Sequence, residues 1–213
     1  MNEWNLSSMD SVGGHETEIV GSPRLIATDT GRAVGFDGVG DALVVDTNPL
    51  MGLEAFTAEV IFQPYPGGLS AQRFFHIQEG DSDNRLLFET RLTDDGEWFL
   101  DTCLQAGAEG QVLFAEDFVH AIGPWYHAAV VVSDGWFRHY VDGELELEKE
   151  IAFTPLGQGK TSVGVRINRV CWYKGAMRTA RFSSRALEPH EFLAVEAQLE
   201  RRTHPTTAEG AMS

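Results

Sequence analysis

Cysteine is nearly absent from this chain: Cys103 and Cys171 are its only two in 213 residues. No Cys-x-x-Cys pair occurs, which excludes a thioredoxin-like centre and a zinc knuckle, both of which need closely spaced thiolates. Both cysteines lie in apolar, strand-like stretches, so buried free thiols are expected, with a disulfide between them as the alternative. Basic residues are also scarce, with 16 Lys and Arg against 32 Asp and Glu and a net charge of −16. A field of that sign repels phosphate backbones and anionic lipid heads, so neither nucleic acid nor a membrane is an expected partner. Its plain consequence is solubility. No apolar run approaches the roughly 20 residues needed to cross a bilayer. The opening Met1-Asn2-Glu3-Trp4 has no basic segment followed by an apolar one. The expectation is therefore a cytoplasmic location, or a secreted one if a leader has been trimmed. Gly159-Lys160-Thr161 imitates the end of a phosphate-binding loop, but Thr154 stands where the earlier glycine is required and no helix follows, so that chemistry is excluded. Nothing in the sequence fixes the oligomeric state.

What is present is strand. The chain is 43% hydrophobic with 13 Phe, enough for one sizeable core, and 213 residues suit a single domain over 1–202. Residues 203–213 are small and polar and read as a disordered tail. Short runs rich in Val, Ile, Phe, Tyr and Trp are punctuated by Gly, Asp, Asn and Pro. Strands are expected over 33–36, 42–45, 56–62, 73–78, 85–92, 98–104, 125–132, 136–141, 144–151, 161–168 and 176–182. Asp94-Asp95-Gly96 and Ser133-Asp134-Gly135 join neighbours as hairpins. Helical periodicity appears only over 188–201, where Phe192, Leu193, Val195 and Leu199 share a side and Glu188-Pro189 suits a helix start. The expected architecture is all-β: a two-sheet antiparallel jelly-roll sandwich with a short C-terminal helix.

Several segments carry a family resemblance. Gly31-Arg32-Ala33-Val34-Gly35-Phe36-Asp37-Gly38 resembles the opening of laminin-G-like jelly rolls, and Phe56-Thr57-Ala58-Glu59-Val60 one of their strands. Trp125-Tyr126-His127-Ala128-Ala129, Asp134-Gly135 and Tyr140-Val141-Asp142-Gly143-Glu144 resemble their central hairpin. Tyr173-Lys174-Gly175-Ala176-Met177 and the segment Arg185 to Phe192 resemble the close. The chain is thus similar to the concanavalin A-like lectin/glucanase superfamily from about Gly31 to Phe192. That resemblance implies two antiparallel sheets, one concave. It also implies a role among lectins, carbohydrate-binding modules, glucan hydrolases, polysaccharide lyases or adhesion modules, between which fold alone does not choose. Calcium in this fold is commonly held by loop carboxylates, and Asp37, Asp41, Asp134 and Asp142 lie in turns, so a calcium site is one expectation.

The unusual feature is polar residues inside strongly apolar strands. Alternation puts His76 and Gln78 opposite Phe75 and Ile77, Glu89 and Arg91 opposite Phe88, and Asp101 opposite Leu100. Glu59 stands opposite Ala58 and Val60, and Arg166 and Asn168 opposite Val165 and Ile167. If these strands are neighbours, one concave face carries them all, with the paired donors and acceptors that sugar hydroxyls require. The expected function is carbohydrate binding there, with Glu59, Gln78, Asp101, Arg166 and Asn168 as ligand-binding residues. The alternative is a small carbohydrate-active enzyme with His76, Glu89 and Arg91 as catalytic residues. Hydrolysis would use a carboxyl pair, and lyase chemistry an arginine to neutralise a uronate and a histidine base. A second alternative is a protein-interaction module. His127 reads as a hydrogen-bonded structural histidine, and His139 as partly buried. Glu144, Glu146 and Glu148 read as one solvated strand face.

Overall fold

The computed structural model describes residues 1–80 and 82–195. They form β1 (Asn2–Asn5), β2 (Ser11–Val12), β3 (His15–Val20), β4 (Arg24–Thr28), β5 (Gly31–Asp37), β6 (Ala42–Val45), β7 (Phe56–Pro64), β8 (Ala71–Glu79) and β9 (Arg85–Leu92). There follow β10 (Glu97–Ala106), β11 (Glu109–Phe114), β12 (His120–Ala121), β13 (Tyr126–Ser133), β14 (Trp136–Val141), β15 (Glu144–Glu150), β16 (Gly159–Val163) and β17 (Lys174–Ser183). One sheet of eight strands runs β15-β14-β13-β7-β17-β5-β4, with β1 paired to β17. The other, of nine, runs β11-β10-β9-β8-β16-β6-β3-β2, with β12 paired to β10. The ladders within each are antiparallel. This is the expected sandwich, all-β and antiparallel in two sheets.

Alternation fills the space between the sheets. Phe56, Ala58, Val60 and Phe62 of β7 point inward and are fully buried, as do Leu86 and Phe88 of β9 and Leu100 of β10. Phe62 of one sheet stacks on Phe74 of the other, ring centroids 4.3 Å apart, and the Trp98 ring meets Phe62 edge-on at 5.2 Å. Each such ring stabilises the fold by about 1.5–3 kcal/mol through burial alone.

Two expected elements differ. The strand expected over 161–168 ends at Val163, because Gly164 turns the chain at φ 87°. A Cβ there would lie 2.5 Å from the Phe36 ring, so the turn demands glycine. Arg166 and Asn168 therefore sit on a loop. The helix expected over 188–201 is replaced, in its described part, by one 3₁₀ turn at Pro189–Glu191, after which Phe192 is extended. The eight-stranded sheet captures this segment's backbone: Glu191 O accepts from Arg181 and Leu193 N–H donates to Glu59. Leu187 and Phe192 pack on Ala129, Val131 and Tyr140, so the apolar periodicity served the sheet's outer face. Residues 196–201 and the tail 203–213 lie outside the described residues.

Glu146 also departs from expectation. A bulge between His139 and Tyr140 leaves it without a cross-strand partner in β14, and it turns inward while Glu144 and Glu148 stay exposed. There it meets His120 Nε2 at 2.7 Å, and burial pushes its carboxyl pKa up against that bond.

Candidate functional site

The outer face of the nine-stranded sheet carries the densest polar grouping. Register places Arg73 opposite Glu89, Glu89 opposite Asp101, and Asp101 opposite Phe114, one row across β8, β9, β10 and β11. Arg73 Nε lies 2.8 Å from Glu89 Oε1. Arg91 Nη2 lies 3.1 Å from Glu89 Oε2 and 2.7 Å from Asp101 Oδ2, and Arg91 Nε donates to Asp101 Oδ2 at 2.8 Å. Paired charges of this kind fix one another's rotamers. Burial, then repulsion from Asp101, pushes the Glu89 pKa up against the pull of Arg73 and Arg91. Burial likewise pushes Asp101 up against Arg91. An aromatic shoulder adjoins this network. The Arg91 guanidinium lies 5.6 Å from the Phe114 ring centre, Phe99 meets Phe114 edge-on at 4.8 Å, and Phe114 is 42% exposed.

Arg73, Glu89, Arg91 and Asp101, with Arg85, Arg166, Leu87, Cys103 and Val112, line a hollow of about 210 Å3. Four arginines and two carboxylates face it. Glu89, Arg91, Asp101 and Arg166 are thus brought together as expected. Arg166 arrives from the loop after β16, which is fastened to β8 by Arg73 N–H donating to Cys171 O and by Ile167 N–H donating to His76 Nδ1.

The other expected residues stand elsewhere. His76 lies on the same side of the sheet but is fully buried. With Nδ1 accepting from Ile167, the proton sits on Nε2. Burial, followed by the charges of Arg166, Arg85 and Arg73, lowers its pKa to about 3. A neutral, buried imidazole with its acceptor nitrogen engaged is badly placed as a general base. Gln78 lines a neighbouring hollow of about 320 Å3 with Asp46, Gln158, Lys160 and Ile167, and its Nε2 donates to Ser82 O. Asn168 is exposed on the loop.

Glu59 requires correction, because β7 belongs to the eight-stranded sheet. On that sheet's outer face Glu59 is fully buried. It takes Arg181 through both oxygens, at 2.6 and 2.8 Å, lies 3.1 Å from His127 Nε2, and accepts the Leu193 N–H at 2.7 Å. Burial alone would raise its pKa, but the bonds to His127 and Arg181 outweigh that and hold it below the usual carboxylate range. It clasps the C-terminal segment, and His127 has the structural role expected of it.

Sequence reasoning missed Arg73, Arg85, Phe99 and Phe114. Arg85 shares the parity of Glu89 and Arg91 and was available to the same alternation argument. Arg73 has the opposite parity to His76, and only the bulge between Arg73 and Phe75 brings both to one face. Phe114 sits on edge strand β11, whose sequence Glu-Gly-Gln-Val-Leu-Phe gives a weak strand signal.

Three of the four turn aspartates bind backbone N–H groups. Asp37 Oδ1 accepts the N–H groups of Val39, Gly40 and Asp41, Asp41 accepts Ser22 N–H, and Asp142 accepts His127 N–H. Among the described residues no three His, Cys, Asp or Glu side chains are grouped to hold an ion. Cys103 and Cys171 are free and half-buried.

The fold has many solved counterparts. Domain 4 of an extracellular arabinanase from Geobacillus stearothermophilus, determined with arabinotriose, superposes with a TM-score of 0.67 at 14% identity, over 89% of this chain and 94% of that one. A heptameric pentraxin from Limulus polyphemus gives 0.59 at 19% identity, over 75% and 78%. A botulinum neurotoxin type C structure, whose cell entry depends on two ganglioside molecules, gives 0.63 at 11%, over 90% and 49%. Such identities speak to fold alone. No curated protein matches by sequence. The laminin-G-type model of the concanavalin A-like lectin/glucanase superfamily matches residues 37–192, from the end of β5 to Phe192, and the chain belongs to that family.

Proposed function

We propose that this protein is a carbohydrate-binding domain and that the hollow on the outer face of the nine-stranded sheet is where the glycan sits. One observation carries the reading. Arg73, Glu89, Arg91 and Asp101 form a pre-set array of donors and acceptors directly beside the half-exposed ring of Phe114. Sugars present hydroxyls at their edges and apolar C–H faces, so a fixed polar array next to an aromatic ring matches both. Preorganisation by mutual ion pairs limits the entropy lost on binding. The arabinotriose complex and the ganglioside dependence named for structural neighbours support the same partner class.

The arrangement suits holding better than cutting. Glu89 and Asp101 lie side by side on adjacent strands and share Arg91, whereas two-carboxylate hydrolysis places its acids on either side of the scissile bond. His76, the base that elimination would need, is buried and neutral.

The test is a glycan array followed by calorimetric titration of the best ligands. Phe114→Ala should weaken binding about tenfold, equivalent to roughly 1.4 kcal/mol, with little change in Tm because the ring is half-exposed. Arg91→Lys, which keeps charge but loses the planar fork, should weaken it further. Absence of binding to any glycan at millimolar concentration would remove the proposal.

A further inference from the structure

We propose that the sugar held in this hollow carries a carboxylate and that Arg85 and Arg166 grip it; this rests on the carbohydrate-binding reading above. The chain as a whole is strongly anionic, at −16, yet the hollow gathers four arginines against two acids. Both acids are already engaged, Glu89 by Arg73 and Arg91, and Asp101 by Arg91. Two guanidiniums are left over.

Arg85 has only a remote contact with Asp83, 3.9 Å away, whose side chain is 97% exposed. Its Nη1 donates to a backbone carbonyl, and its buried Nε has no partner among the described residues. Arg166 is half-buried, and among the described residues its side chain makes no ion pair or hydrogen bond. Both lie close enough to His76, with Arg73, to help hold that imidazole uncharged, so their fields converge beneath the hollow.

Sheltering a guanidinium without a counter-charge is costly, and a planar carboxylate matches its paired N–H donors two at a time. A chain with twice as many acids as bases could have supplied that partner from its own side chains. Leaving two arginines open there fits a ligand that brings the charge. The acid group would sit between Arg85 and Arg166, while the sugar ring extends over the Glu89 and Asp101 acceptors toward Phe114. Hexuronates and sialic acids share this chemistry.

Calorimetry on the full chain at low ionic strength tests it with two matched pairs: trigalacturonate against galactotriose, and sialyllactose against lactose. At least one acidic member should bind ten times or more tighter than its neutral partner. That ratio should fall toward one in Arg166→Gln and in the Arg85→Gln/Arg166→Gln double variant, and should shrink as NaCl rises to 0.5 M. If the double variant folds poorly, the Arg166→Gln single variant carries the comparison, since among the described residues no hydrogen bond or ion pair depends on that side chain. Equal affinity for acidic and neutral members, or an acid preference that survives both variants, overturns this inference and leaves carbohydrate binding standing. Failure of all four probes, with no hit on the array, overturns the carbohydrate reading itself.

Discussion

Three histidines, His76, His127 and His139, are fully buried, and burial, as the first cause, lowers the pKa of His76 and of His139 to about 3. His139 shares a hydrogen bond with Thr102 across the two sheets, 2.9 Å long. In the unfolded chain both would titrate near 6.5. Between about pH 3 and 6.5 the unfolded state therefore binds more protons than the folded one, and stability rises with pH through that window. It is fully present above 6.5 and is lost as pH falls. Each histidine contributes a slope of up to about 1.4 kcal/mol per pH unit. His76→Gln keeps an acceptor within reach of the Ile167 N–H and removes the titration. Its stability, measured by urea unfolding from pH 4 to 6, should depend on pH less steeply than that of the unchanged protein by about that amount. Parallel slopes would show that His76 is not neutral in the fold. The raised carboxyl pKa values of Glu89, Asp101 and Glu146 act with opposite sign. Their contribution is present below the ordinary carboxylate range and is lost as pH rises through the shifted values. Comparing one variant with its parent cancels that background.

At the scale of elements, the decisive device is the clasp between β7, β17 and the segment after β17. Glu59 joins Arg181, His127 and the Leu193 N–H at one buried point, and Phe192 lies over it against the Tyr140 ring, 5.2 Å away. Removing one member of a buried charge pair strands the other. Glu59→Ala should cost about 3–5 kcal/mol, read as a lower urea midpoint. A loss below about 1 kcal/mol would mean that water reaches Arg181 and the clasp does not hold. The same elements explain what the sequence made legible. The central strands were readable because β7, β9, β10, β13 and β14 alternate apolar and polar residues or run continuously apolar, and the β9–β10, β13–β14 and β14–β15 turns carry Asp-Gly. The peripheral strands β1, β3, β4 and β11 were not: they expose about half or more of their residues, so no core pattern marks them. Strand parity correctly grouped Glu89, Arg91 and Asp101. It could not reveal that β7 hydrogen-bonds in the other sheet, because sheet membership depends on long-range pairing that leaves no local trace. Nor could it show the bulges, which carried Glu146 inward and Arg73 outward.

The whole molecule presents two electrostatic problems of opposite sign. Its net charge of −16 is spread over a sandwich with 10359 Å2 of accessible surface, so the compact state repels itself, while the hollow beneath Arg166 is a small cationic exception. Salt acts on both. The Debye length falls from about 30 Å at 0.01 M to about 10 Å at 0.1 M, which relieves the global repulsion that opposes compactness. Raising NaCl from 0.01 to 0.5 M should therefore raise Tm, by about 2–4 °C for each kcal/mol of repulsion removed in a domain of this size. The buried Glu59–Arg181 pair, shielded from ions, should contribute little to that change. The same salt weakens the attraction of a carboxylate for the hollow. Thermal shift and affinity for an acidic glycan should then move in opposite directions along one salt series, whereas affinity for a neutral glycan should stay nearly constant. A Tm that falls with salt would show that local ion pairs, not net charge, dominate the electrostatics of this sandwich. The hollow would then have to be treated as one attractive site among many.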